Sequence, residues 1–181
     1  IQFQNCTFVS GILGACGVST RDKPGADGMG GNFLWSGGGG AVWGTAFRLG
    51  SHNGGATTIQ NADFERASRL LETSGPSQGD YKNTILDGVS YRSVAPAADG
   101  YVIKFLFGGN LSLRNCRIGL DKTFPLRIQL LGTLPSVYTI RDSIFLSSNA
   151  TIATLVPNIP NVRVRSSIIQ TPTSNVAIDN S

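Results

Sequence analysis

The chain has 181 residues, with 15 Lys+Arg against 11 Asp+Glu, one His and a formal charge of +4. Charged residues make up 14% and glycine fills 23 positions, a composition that disfavours helical bundles and coiled coils, which need Ala, Glu, Lys and Leu in bulk. With 40% hydrophobic residues and a small net charge the chain can support a core, which argues against disorder and for an all-β fold with many turns.

The chain opens on a strand, Ile1-Gln2-Phe3-Gln4, followed by Asn5 and a second apolar run, Cys6-Thr7-Phe8. Because residue 1 is Ile and already reads as strand, the sequence is expected to be cut from a longer polypeptide. Residues 10–56 form a Gly-rich excursion that must also supply one degenerate coil, with Phe33-Leu34-Trp35 or Val42-Trp43-Gly44-Thr45-Ala46-Phe47 as its strands. The opening grammar then returns in Thr57–Phe64, Asn83–Ser90, Leu111–Ile118, Tyr138–Phe145 and Val162–Ile169. Each is apolar-x-apolar-x, then Asn, Asp or Ser, then a small residue, x and usually another apolar residue. Residues 63–73 carry two readings that stay open: a strand ending near Phe64, or a short helix with Glu65 and Arg69 at i,i+4. Leu70–Lys82 and Val94–Asp99 read as side loops, and residues 171–181 as an exit tail or linker.

The central polar residues fall at regular intervals: 26 from Asn61 to Asp87, 28 to Asn115, 27 to Asp142 and 24 to Ser166. From Asn5 to Asn61 is 56, two units of 28. Leu111 and Leu113 point inward on an alternating strand, yet Cys116 and Ile118 are also apolar, so the phase slips at Asn115. A tight bend does this where Asn or Asp tolerates a left-handed backbone. An antiparallel sandwich also alternates, but it has no reason to repeat a bend residue at constant spacing. Strand, bend and strand at 24–28 residues are the signature of a parallel solenoid.

On these six units the sequence resembles the right-handed parallel β-helix superfamily, which includes pectate lyases and phage tailspikes. The resemblance implies a single-stranded, right-handed parallel β-helix over residues 1–170. By analogy with tailspikes it implies a phage tail or extracellular protein, a homotrimer, that binds and in some members hydrolyses bacterial surface polysaccharide. A purely structural solenoid segment of a virion or adhesin is the alternative. The aspartate cluster of the pectate lyases is not recognisable, and no metal, cofactor, nucleic acid or membrane insertion is expected.

Within that frame, Asp63 and Glu65 sit two apart on a strand and would project about 6–7 Å apart from one outer face. That spacing suits the two carboxylates of glycoside hydrolysis, so they are the candidate catalytic pair. Asp22, Asp27 and Asp87 are weaker candidates, Asp87 being read as a bend residue. Outward positions before the bend are expected at Thr84/Leu86, Ser112/Arg114, Thr139/Arg141 and Arg163/Arg165. Stacking would put Arg114, Arg141 and Arg165 in line, able to fork onto the carboxylates of an acidic polysaccharide. Trp35 and Trp43 could stack on sugar rings or belong to the core. Ile144, Leu146 and Ile168, echoed by Val9 and Val89, form an outward aliphatic stripe that could meet another subunit. His52 has no evident ligand set, and Cys6 and Cys116, four coils apart, are too distant for a disulfide.

Overall fold

The computed structural model describes residues 1–12, 14–20, 32–50, 56–74, 82–93, 99, 101–105, 109–120, 127–130, 137–147 and 162–170. They form stacked coils of parallel strands. The first coil holds β1 (Gln2–Gln4), β2 (Thr7–Ser10) and β3 (Cys16–Thr20), and the second β4 (Phe33–Ser36), β5 (Gly39–Val42) and β6 (Thr45–Gly50). The third holds β7 (Ala56–Gln60), β8 (Asp63–Glu65) and β9 (Arg69–Ser74), and the fourth β10 (Lys82–Asp87), β11 (Ser90–Ser93) and β12 (Tyr101–Phe105). The fifth holds β13 (Gly109–Arg114), β14 (Arg117–Leu120) and β15 (Arg127–Leu130). Two further coils follow, β16 (Tyr138–Arg141) with β17 (Ile144–Ser147), then β18 (Val162–Arg165) with β19 (Ile168–Gln170). Each strand pairs with its counterpart one coil away, giving two seven-stranded sheets and one of five. The architecture is all-β and all-parallel, as a β-solenoid requires.

The corner between the first and second sheets follows from local chemistry. Asn5, Asn61, Asn115, Asp142 and Ser166 have φ of 47–51°, and Gly37 (73°) and Gly88 (63°) occupy the same register. Left-handed backbone is affordable for Gly and for Asn or Asp, which is why these residues recur. Gly88, and not Asp87, is the bend residue of the fourth coil; with it the steps Asn61–Gly88–Asn115–Asp142 are each 27 residues. The shift of one residue reverses that strand's parity. Thr84 and Leu86 point inward, 1% and 0% exposed, and Val89 is buried rather than part of an outward stripe.

Every corner is stitched to the next coil by backbone bonds. The Asn61 N–H donates to the Asp87 carbonyl (2.8 Å), and the Ser90 N–H donates to the carbonyl of Ala62 (2.9 Å). The position after the bend runs Cys6, Gly38, Ala62, Val89, Cys116, Ser143, Ser167. Where it is Cys or Ser, the side chain donates to the carbonyl two residues back: Cys116 to Arg114 (3.1 Å), Ser143 to Arg141 (2.8 Å), Ser167 to Arg165 (2.8 Å). The slot accepts a small donor that turns back on its own strand, which accounts for cysteine and serine replacing one another. All three cysteines are free.

Inside, the first three coils are filled by aromatic rings. Phe47 meets Phe8, Phe33, Trp35 and Phe64 edge-on, with centroids 5.1–6.2 Å away. Phe8 and Phe64 lie two coils apart, roughly 9–10 Å at the strand spacing. Their rings nonetheless stack at 5.8 Å, because the intervening register position is Gly40.

Residues 63–74 are strand, corner and strand, not helix. Arg69 therefore does not pair with Glu65. Its side chain, 10% exposed, binds the Glu72 carboxylate and donates through Nη2 to both Asp99 oxygens (2.7 and 2.8 Å) and through Nε to the Tyr101 carbonyl (3.1 Å). Lys104 Nζ adds a contact to Asp99 at 2.7 Å. Burial alone would raise the Asp99 carboxyl, but hydrogen bonds from Lys104, the Tyr101 N–H and Arg69 outweigh it and hold it below the usual carboxylate range. A group lowered on folding stabilises the protein above its unfolded value, about 3.9, and that stabilisation is lost as pH falls through the folded value. Between about pH 6 and about pH 3 the wild type is expected to lose more melting temperature than Asp99→Asn, measured by circular dichroism. Parallel curves would contradict the coupling.

Candidate functional site

Register places one outward row on the first sheet just before the corner: Gln4, Ser36, Gln60, Asp87, Arg114, Arg141, Arg165. The three arginines stand on consecutive coils as their spacing predicts. The expected partners in the fourth coil do not; Ile85 and Asp87 face outward there instead of Thr84 and Leu86. Strand spacing puts neighbouring arginine Cα atoms about 4.8 Å apart. Like charges that close repel by roughly 1 kcal/mol in water. Arg114 Nε donates to Ser112 Oγ (2.9 Å), and Asp87, the one carboxylate in the row, accepts from Asn115 Nδ2 (2.8 Å). Arg141 and Arg165 make no ion pair among the described residues.

Beside this row the first sheet is concave. A hollow of about 590 Å³ has Arg114 and Arg141 on one side and Asn83 and Asn110 on the other, over Ser112 and Thr139. The asparagines are held by the ladder: Asn110 Nδ2 donates to Asn83 Oδ1 (2.9 Å), and the Val137 N–H donates to Asn110 Oδ1 (3.1 Å). The hollow is mostly apolar, Ile85 included, with amide groups along one side and two guanidinium forks along the other, polar groups that can bind hydroxyl-rich and anionic groups together. The asparagine side was not legible in the sequence; its signal was the 27-residue recurrence of Asn83 and Asn110.

Across the corner, β8 directs Asp63 and Glu65 outward from the second sheet, both exposed, with Phe64 between them fully buried. The alternation of a strand produces this. Their register neighbours are Ser90 and Arg92 on β11, then Arg117 and Gly119 on β14. These line a second groove, of about 480 Å³, which ends at Leu146. The carboxylate pair and the arginine row therefore lie on two faces, separated within a coil by only the bend residue and the slot residue, as Asn115 and Cys116 separate Arg114 from Arg117.

Trp35 is 2% exposed, in ring contact with Phe3, Phe8, Phe47 and Phe64, so it belongs to the core and no surface sugar reaches it. Trp43 is half-buried between the second and third sheets and is not part of either hollow. Of the aliphatic stripe, Val9 (77%) and Ile144 (36%) are exposed. Asp22, Asp27, His52, the side chain of Ile168 and residues 171–181 lie outside the described residues. Among the described residues no group of His, Cys, Asp and Glu could hold a metal ion. The chain matches no known protein family, no curated protein and no solved structure.

Proposed function

We propose that this chain is part of a right-handed β-helical, tailspike-like protein of a virion or the extracellular space that holds an acidic bacterial surface polysaccharide along its first sheet. The observation that carries the reading is the hollow in which Asn83 and Asn110 face Arg114 and Arg141. Sugar hydroxyls suit the amides, and the row of guanidinium groups, set against one carboxylate already engaged by Asn115, suits a polymer with repeated negative charge. The right hand is supported by the general preference of parallel crossovers. Homotrimeric assembly belongs to the same proposal, supported by exposed Ile144 and checked by light scattering. Hydrolysis is assigned to Asp63 and Glu65, whose outward position on one strand suits an acid paired with a base or nucleophile. Reducing-end release is expected to disappear in Asp63→Asn and in Glu65→Gln.

Binding is tested by calorimetry with acidic and neutral polysaccharides. Arg141→Gln is expected to weaken acidic-polymer binding about tenfold, as loss of a charge-assisted bond does, and to flatten its salt dependence. Equal binding of acidic and neutral polymers, or an unchanged Arg141→Gln variant, would overturn the assignment. Absence of any polysaccharide binding would leave a structural spacer.

A further inference from the structure

Gly119 lies within β14, on the outer face of the second sheet, between Arg92 and Leu146 in register. Nothing in the fold requires a glycine there. Its φ is not left-handed, and a Cβ built on it would meet only Leu146, at 3.8 Å from its Cβ and 3.9 Å from its carbonyl oxygen, ordinary contact. Other glycines of the solenoid differ: at Gly38, Gly39 and Gly44 a Cβ would run into the backbone of the adjacent coil. A glycine inside a strand weakens it and marks close approach by a ligand or another backbone; here no backbone approaches.

What Gly119 leaves is a gap one coil wide between Arg92 and Leu146, its register neighbours on that face. Next to it on the fourth coil stands Arg92, beyond that on the third coil stand Asp63 and Glu65, and on its own strand stands Arg117, which makes no ion pair among the described residues. The gap, the two arginines Arg92 and Arg117 and the two carboxylates share one groove. We propose that this groove is a second carbohydrate site, in which a sugar ring rests on the Gly119 backbone against Leu146, with its anionic substituent on Arg117 and the polymer running along the axis towards Glu65 and Asp63. The site rests on the polysaccharide reading above, but it is a separate face from the arginine row, so each can be removed alone. Gly119 acts as the specificity-determining position: its missing side chain is the space the ring takes.

The test is Gly119→Val, a residue better suited to a strand than glycine. The full chain is titrated calorimetrically with alginate, hyaluronate and sulfated-glucan oligosaccharides, with neutral dextran oligosaccharides as control, and melted in parallel. The proposal expects an unchanged or higher Tm together with at least tenfold weaker binding of an acidic oligosaccharide, about 1.4 kcal/mol. Gly119→Ala is expected to fall between, and Arg117→Gln to abolish the preference for acidic over neutral oligomers. Unchanged affinity in Gly119→Val, with Arg141→Gln still impaired, overturns the second site and leaves the first. No binding by the wild type to any acidic oligomer overturns both. Should Gly119→Val lower the Tm, Arg117→Gln decides alone, and retained acidic preference there overturns the site.

Discussion

Phe47→Ala is expected to destabilise the protein by about 3–5 kcal/mol, the range for deleting a large buried aromatic. Phe47 is fully buried and, like Trp35, touches rings from both neighbouring coils and its own: Phe8 from the first, Phe33 and Trp35 from the second, Phe64 from the third. Edge-to-face pairs add about 0.5–1.5 kcal/mol beyond area, and alanine would leave all four facing a void. The surrounding strands are held by the inter-coil ladder and cannot close on it. Because solenoid stability is a sum of nearest-neighbour terms, the loss should concentrate in the first three coils. Hydrogen exchange is expected to show deprotection of residues 33–50 and 56–65 well before residues 109–120. A loss under about 1 kcal/mol, or uniform deprotection, would refute this account of the core. Trp35→Ala is expected to behave alike and to leave polysaccharide binding of the folded fraction intact, since the ring never reaches the surface.

The second large effect is expected at Gly44→Ala, a change of one methyl group. Gly44 turns the second coil between the second and third sheets, with its Cα against the first coil. An added Cβ would sit within van der Waals overlap of the Ala15 carbonyl oxygen. That oxygen cannot yield, because it accepts the Thr45 N–H at 3.0 Å, and the Gly44 carbonyl is held by the N–H groups of Ser68 (2.8 Å) and Arg69 (3.2 Å) from the third coil. Gly44 is pinned from both sides along the axis. Overpacking typically costs 1–3 kcal/mol, and here the obstacle is backbone, so denaturant melts are expected to show a loss of about 3 kcal/mol or more. Gly119→Ala, adding the same methyl where space is open, serves as the control and should be neutral or stabilising. Equal effects at the two glycines would contradict the close packing of corners.

Much of the coil was legible because its corner is a local device. Asn5, Asn61, Asn115, Asp142 and Ser166 were identifiable because a left-handed residue followed by a small side chain has few chemical solutions. The arginine row followed from the same frame, since side chains of equal phase stack once the corner is known. The fourth and second coils resisted because their corners are Gly88 and Gly37, and a glycine in a glycine-rich chain carries no address. A bend at Asp87 instead of Gly88 shifts the corner by one residue and exchanges inside for outside at Thr84, Ile85 and Leu86. The third sheet escaped for a different reason. In β12 both Val102 and Ile103 are buried, with a register shift between Tyr101 and Ile103, so the alternation that betrays a strand is broken.

The sequence by itself determined the solenoid's period, its asparagine corners and the row Arg114–Arg141–Arg165, because each depends on neighbours in the chain or on a constant repeat; that Asp63 and Glu65 share the outer face of a strand was settled only by β8. Only the tertiary structure decided that Trp35 is core, that Arg69 joins Asp99 thirty residues on, that Asn83 and Asn110 face the arginines across a hollow, and that Gly119 opens a groove. Those are contacts between coils, and the energy of a ring, an ion cluster or a gap depends on what the next coil places against it.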